Sequence, residues 1–115
     1  MDFFQPDVLE QKMDRFDHIT RSPFSVKITR DGHDITSLAG VREVHYKRDG
    51  SGTRTLADGT IVAGTWHFLD AAQTIVETAV AGKRSRFRIV ELTDAVYRKV
   101  DLETGVEIAH YPKLQ

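Results

Sequence analysis

From Pro23 to Tyr111 apolar and polar side chains alternate almost residue by residue, and clusters of small or turn-forming residues interrupt the alternation at short, regular intervals. Phe24, Val26 and Ile28 alternate with Ser25, Lys27 and Thr29, the pattern of a strand with one buried face. Asp31-Gly32 is a hairpin signal, and His33 to Leu38 are expected to return as a strand. Gly40 breaks the chain before a strand over 41–48, with Val44 and Tyr46 on one face. The turn 49–52 follows, then a short strand through Leu56 and a turn at Asp58-Gly59. The longest predicted strand is 60–69, with Trp66 and Phe68 on one face and Thr65, His67 and Leu69 on the other. Gly64 inside it marks a bend or bulge. The pattern then predicts strands over 73–81, 84–93, 95–102 and 106–111, with turns at 70–72, Gly82-Lys83 and Thr104-Gly105. Helical spacing occurs once, over 7–19, where Val8, Leu9, Met13, Phe16 and Ile19 form an apolar stripe behind Pro6 and Asp7. The stripe either caps the open end of the sheet, with Phe3 and Phe4, or packs on a second copy of the chain.

These elements predict an all-β domain over 1–115: one N-terminal α-helix (7–19), then a meander of about eight antiparallel strands (23–111). An up-and-down meander of such short strands either stays open, with two exposed edges, or closes into a barrel. Closure removes the edges and leaves an interior that side chains or one small ligand can fill. A closed or partly open barrel is therefore expected, with a two-layer open sheet as the alternative.

The run from Asp49 to Asp94 carries Gly50, Gly52, Gly59, Gly64-Thr65-Trp66, Phe68, Ile89, Leu92 and Thr93 in an order that resembles bacterial lipocalin-like domains of the calycin type. In the lipocalins proper the Gly-x-Trp lies on the first strand, whereas here it lies near the middle of the meander. The resemblance implies a barrel that holds a small apolar ligand, without designating a ligand or a binding residue.

Composition narrows the partners. Sixteen Lys and Arg against seventeen Asp and Glu give a net charge of -1, which supplies no global attraction to nucleic acid or an anionic membrane. The absence of cysteine excludes disulfides, thiolate chemistry and Cys-based zinc sites. MDFFQPDVLEQK has neither a basic leader nor an apolar run, and no stretch has the length of a membrane span. The expectation is a soluble, cytoplasmic protein with no cofactor. The five histidines show no helical metal-ligand spacing, so no metal site is predicted. The basic run 83–88 interleaves Phe87 with cations, as a single-strand nucleic-acid surface does. Strand alternation instead puts Arg84, Arg86 and Arg88 on one solvated face.

Two polar residues break otherwise apolar strand faces. Arg98 sits between Val96, Val100 and Leu102, and His110 follows Val106 and Ile108. If Arg98 points inward it needs an anionic or aromatic partner, either a ligand carboxylate or phosphate, or Trp66 or Glu77 within the barrel. Tyr46, Tyr97, Glu77 and Asp101 are candidates for acid–base pairs. The leading expectation is a small, mostly apolar ligand walled by Tyr46, Trp66, Phe68, Phe87 and Ile89, its polar or anionic end oriented by Arg98 and His110. The second is an enzyme performing cyclisation, isomerisation or dehydration in the same cavity, with His110 or Glu77 as base. The third is a filled barrel that dimerises through Leu9, Met13 and Phe16.

Overall fold

A computed structural model of the chain describes residues 14–113. Nine strands follow a helix α1 (Arg15–Thr20): β1 (Phe24–Arg30), β2 (His33–Asp34), β3 (Val41–Tyr46), β4 (Ser51–Leu56), β5 (Ile61–Phe68), β6 (Ile75–Val80), β7 (Lys83–Leu92), β8 (Tyr97–Asp101) and β9 (Glu107–Pro112). A single-turn helix α2 (Thr36–Ala39) lies between β2 and β3. Strands β3 to β9 pair antiparallel in sequence order. Strand β1 pairs with both β3 and β9, which closes an eight-strand ring with β2 as a short spur on β1. The closing seam runs from Phe24↔Pro112 to Thr29↔Glu107. The expected all-β barrel is therefore present, and it is closed.

The sequence reading needs revision in two segments at the start of the chain. The stretch 33–38 is strand only at His33–Asp34 and then turns into α2. Asp34 causes the switch: its carboxylate accepts from the Thr36 backbone N–H (2.9 Å) and hydroxyl (2.6 Å), which ends the extended run. Gly40, at φ 70°, takes the left-handed conformation that terminates the turn. The helix expected over 7–19 begins, among the described residues, at Arg15. Asp14 has an extended backbone and caps the helix by accepting from Asp17 N–H at 2.8 Å. Leu9, Met13 and the rest of the proposed stripe before Asp14 lie outside the described residues.

Helix α1 plugs one end of the barrel. Ile19 is fully buried in the core, and Phe16 stacks on Trp66 with ring centroids 5.5 Å apart. Around them lie Phe24, Tyr46, Val76 and Ile89, with Phe68 and Leu92 packed against the same cluster. The inward set follows alternation along β5, β6 and β9, and along β7 as far as Ile89, where a register shift before Glu91 makes Leu92 the next inward residue. In β8 the phase is the reverse of the one expected, because the strand begins at Tyr97. Val96 belongs to the preceding loop, where the Thr93 hydroxyl accepts from the Ala95 and Val96 backbone N–H groups. Val96 is buried there without setting the strand's alternation. Tyr97 and Lys99 consequently point inward, with exposures of 1% and 2%, while Leu102 is 45% exposed.

Gly64 supports the curl of β5 through space rather than through an unusual φ. A Cβ there would lie 2.7 Å from the Ala79 carbonyl oxygen and 2.9 Å from Val80 Cγ2. Neighbouring backbone cannot yield without disturbing the β5–β6 ladder, in which Gly64 faces Val80. Gly64→Ala is therefore expected to lower stability by about 1–3 kcal/mol, measured as a reduced urea midpoint; an unchanged midpoint would show that the two strands separate without cost.

Candidate functional site

The barrel interior beyond the α1 plug contains a cavity of ≈ 330 Å³, at the lower end of the roughly 300–1,000 Å³ typical of ligand sites. Its walls are largely apolar, and Trp66 and Phe87 belong to them. Its inner end carries Tyr46, Lys99 and His110; Arg54 of β4 lines the wall between, and Arg30, Lys83 and Asp101 lie towards the opposite end of their strands.

Neighbouring strands bring the three inner polar groups together. Tyr46 ends β3, and His110 lies on β9 directly opposite Tyr97 of β8. His110 Nδ1 is 2.9 Å from the Tyr97 carbonyl oxygen, and its Nε2 is 3.1 Å from the Tyr46 hydroxyl. Since a carbonyl only accepts, Nδ1 carries the proton and donates to Tyr97 O. In the neutral ring Nε2 then accepts, so the Tyr46 hydroxyl donates to it. The Tyr46 oxygen in turn accepts from Lys99 Nζ at 3.0 Å. One carbonyl thus fixes the direction of the whole chain, Lys99 to Tyr46 to His110 to backbone. Tyr97 holds the imidazole flat, with rings stacked 4.3 Å apart at 18°, and Phe24 meets it edge-on at 5.6 Å.

Lys99 is an unusual member of this chain. It is a buried cation site with no carboxylate in salt-bridge contact among the described residues. Its Nζ lies 3.8 Å from the Phe87 ring centroid, with Tyr46 and Tyr97 rings at 5.2 and 5.6 Å. These faces give partial compensation for lost water. Burial still disfavours the ammonium, and the positive Arg54 adds to the effect against a weaker opposing pull from Asp101. The Lys99 pKa falls to about 7. Burial, and then the neighbouring Lys99, push His110 well below the ordinary imidazole range, which keeps the ring neutral. Burial also raises the Tyr46 and Tyr97 phenols, so both stay protonated.

Of the residues expected at the site, Tyr46, Trp66, Phe87 and His110 line the cavity. Phe68 instead packs edge-on against Trp66 in the plug, at 5.5 Å, and Ile89 joins the same core. Arg98 does not point inward. It lies on the outer face of β8, its guanidinium held by Glu91 at 2.9 Å and Glu107 at 3.0 Å from the strands on either side. Neither Trp66 nor Glu77 is its partner. Glu77 is also on the outer wall, beneath His67, Arg84 and Arg86 at 3.1–3.4 Å. The Arg86 hydrogen bond, aided by Arg84 and His67, keeps its carboxyl below the usual range, so it is a fixed anion remote from the cavity chain. Arg84, Arg86 and Arg88 are all exposed, on the solvated face expected for them.

Lys99 was not singled out from sequence, because a lysine within a strand normally belongs to the wet face. The available signal was Tyr97-x-Lys99 read in phase with each other, once Val96 is assigned to the loop. Among the described residues no cluster of three metal-ligating side chains occurs, and no helix is long and apolar enough to cross a membrane. Comparison with protein-family models, with curated proteins and with solved structures gives no match in any of the three.

The depressed Lys99 pKa makes stability depend on pH. In the unfolded chain the amine holds its proton to about pH 10.4, whereas in the barrel it releases it near 7. Between those values the unfolded chain binds more protons, so stability rises with pH. Above about pH 10 the raised Tyr46 and Tyr97 reverse the trend, because the unfolded phenols ionise first. Below about pH 6.5 the unfolded His110 takes up a proton that the folded ring refuses, and stability falls again. Urea denaturation of the wild type is expected to gain roughly 3–4 kcal/mol from pH 7 to 10 relative to Lys99→Met; parallel pH curves for the two proteins would contradict a buried, easily deprotonated amine.

Proposed function

We propose that this barrel binds a small, mostly apolar molecule whose polar or anionic end meets Lys99, Tyr46 and His110. One observation carries the reading: a buried lysine without a carboxylate partner among the described residues lines an otherwise largely apolar cavity. Burial of an amine costs stability. A filled core of the same size would use a methionine or leucine there, as apolar replacements of buried charges are commonly neutral or stabilising. A ligand oxygen at Nζ supplies the missing partner, while Trp66 and Phe87 cover the apolar body. Arg30, Arg54 and Lys83 outnumber Asp101 along the cavity, which favours entry of an anion over a cation. The closed ring agrees with the lipocalin-like resemblance of the Asp49–Asp94 run. The cavity polar groups recommend a soluble carrier or sensor over a dimerisation module, since Phe16 of the helix stripe is already stacked on Trp66 of its own barrel. An enzymatic use of the cavity would draw on His110 and Lys99, with Glu77 outside it.

The test is a titration of octanoate and octanol followed through Trp66 fluorescence and calorimetry. Saturable one-to-one binding is expected, with octanoate weakened at least about tenfold by Lys99→Met, the size expected for losing a charge-assisted hydrogen bond. Arg98→Leu should leave affinity unchanged, because that side chain is committed to Glu91 and Glu107 outside. Absence of saturable binding by either compound, or equal affinity in Lys99→Met, would overturn the assignment.

A further inference from the structure

Lys99 is placed for covalent chemistry as well as for contact. Resting on the ligand-binding reading above, we propose that the polar end of the ligand is an aldehyde carbonyl, and that Lys99 Nζ captures it as an imine. The reaction needs an amine with a free lone pair, a carbonyl carbon held against it, a hydroxyl to move protons, and protection from bulk water. The barrel brings these together. Lys99 lines the cavity while 2% exposed overall, and its hydrogen-bond acceptor is a phenol rather than a carboxylate that would hold it as an ammonium. With its pKa near 7, much of the amine is neutral at neutral pH.

The steps balance without an oxidant or reductant. The Nζ lone pair attacks the carbonyl carbon as the C=O π pair moves to oxygen. One N–H proton then reaches that oxygen by way of the Tyr46 hydroxyl, 3.0 Å from Nζ, to give a carbinolamine. The remaining N–H proton passes to the carbinolamine hydroxyl as the C–O bond breaks and the nitrogen lone pair forms C=N, so the oxygen departs as water. Amine plus aldehyde becomes imine plus one water. As Tyr46 takes the Nζ proton, its own proton turns from His110 Nε2, 3.1 Å from the Tyr46 oxygen, to the ligand oxygen, and the hydrogen bond to His110 re-forms afterwards. The neutral product also removes the cost of a buried ammonium, and the apolar walls limit the water that would hydrolyse it.

Size restricts the substrate class. The cavity of ≈ 330 Å³ lies at the small end of ligand sites, which suits a medium-chain or aryl aldehyde.

The experiment uses the full chain with cinnamaldehyde near neutral pH and sodium cyanoborohydride to reduce any imine, followed by intact mass and peptide mapping. A single reduced adduct at Lys99 is expected, with the exposed Lys27, Lys47 and Lys113, which lie outside the cavity, far less modified despite their accessibility. Cinnamyl alcohol, which binds without reacting, should suppress labelling of Lys99 and leave the surface lysines unaffected, a readout that needs no variant. Lys99→Arg should abolish the site-specific adduct. Tyr46→Phe should slow formation of the adduct at least about tenfold even at saturating aldehyde, as loss of a proton-moving group would. If cinnamyl alcohol quenches Trp66 saturably but Lys99 stays unlabelled, covalent capture is wrong and ligand binding stands. If neither compound binds, both readings fall.

Discussion

The pairing of β1 with β9 is the constraint on which the rest of the molecule depends. Residues 24–29 and 107–112 come from opposite ends of the described chain, and their ladder converts a meander with two raw edges into a ring. Once the ring is closed, every strand has a defined inside, and the polar groups of β3, β8 and β9 share one volume. The seam contains Val26↔His110, so the imidazole that orients the cavity chain is held by the same ladder that closes the barrel. A slip of one residue along the seam would turn His110 outward and Ala109 inward. Closure and site are one structural event.

Within the ring the two ends have different tasks. At the α1 end, Ile19, Phe16, Trp66 and Phe68 pack together, and the Trp66 indole N–H is satisfied by the Lys47 carbonyl at 2.9 Å. Beyond Tyr46 the packing stops and a cavity begins. The change happens where buried polarity begins, at Lys99, Tyr46 and His110. The hydrogen-bonded chain terminates on a backbone carbonyl, so each member except Lys99 has its polar capacity met internally. The amine alone retains unused donors or a lone pair facing the cavity, a local deficit that a ligand removes.

The charged residues outside obey a different logic. Arg98 between Glu91 and Glu107, and Glu77 beneath His67, Arg84 and Arg86, are cross-strand sets that span three neighbouring strands each. The partly exposed Arg98 pairs contribute modestly to stability, while Glu77 is itself buried under its partners. They keep the outer wall polar and reinforce the register that points Tyr97 and Lys99 inward. Arg98 therefore acts on the cavity only indirectly, through the placement of its neighbour.

Alternation and turn chemistry were enough to read the all-β meander, its turns, the helix near the start, and the inward direction of Tyr46, Trp66, Phe87 and His110. Those features are local: a strand's two faces and a turn's glycine are written in adjacent residues. The sequence did not show where β8 begins, because burial of Val96 in a loop imitates a strand position, and it assigned the wrong face to Arg98 and overlooked Lys99. Nor did alternation reveal the Asp34 turn that shortens β2, or that Glu77 is sheltered outside the barrel by His67 of β5 and two arginines of β7. The Asp34 and Thr93 turns are local side-chain effects that alternation does not register, whereas the faces of Lys99 and Glu77 depend on pairing between strands. Local order specified which residues face together; closure of the ring decided which face is inside, and so made a lysine, rather than an arginine, the cation in the cavity.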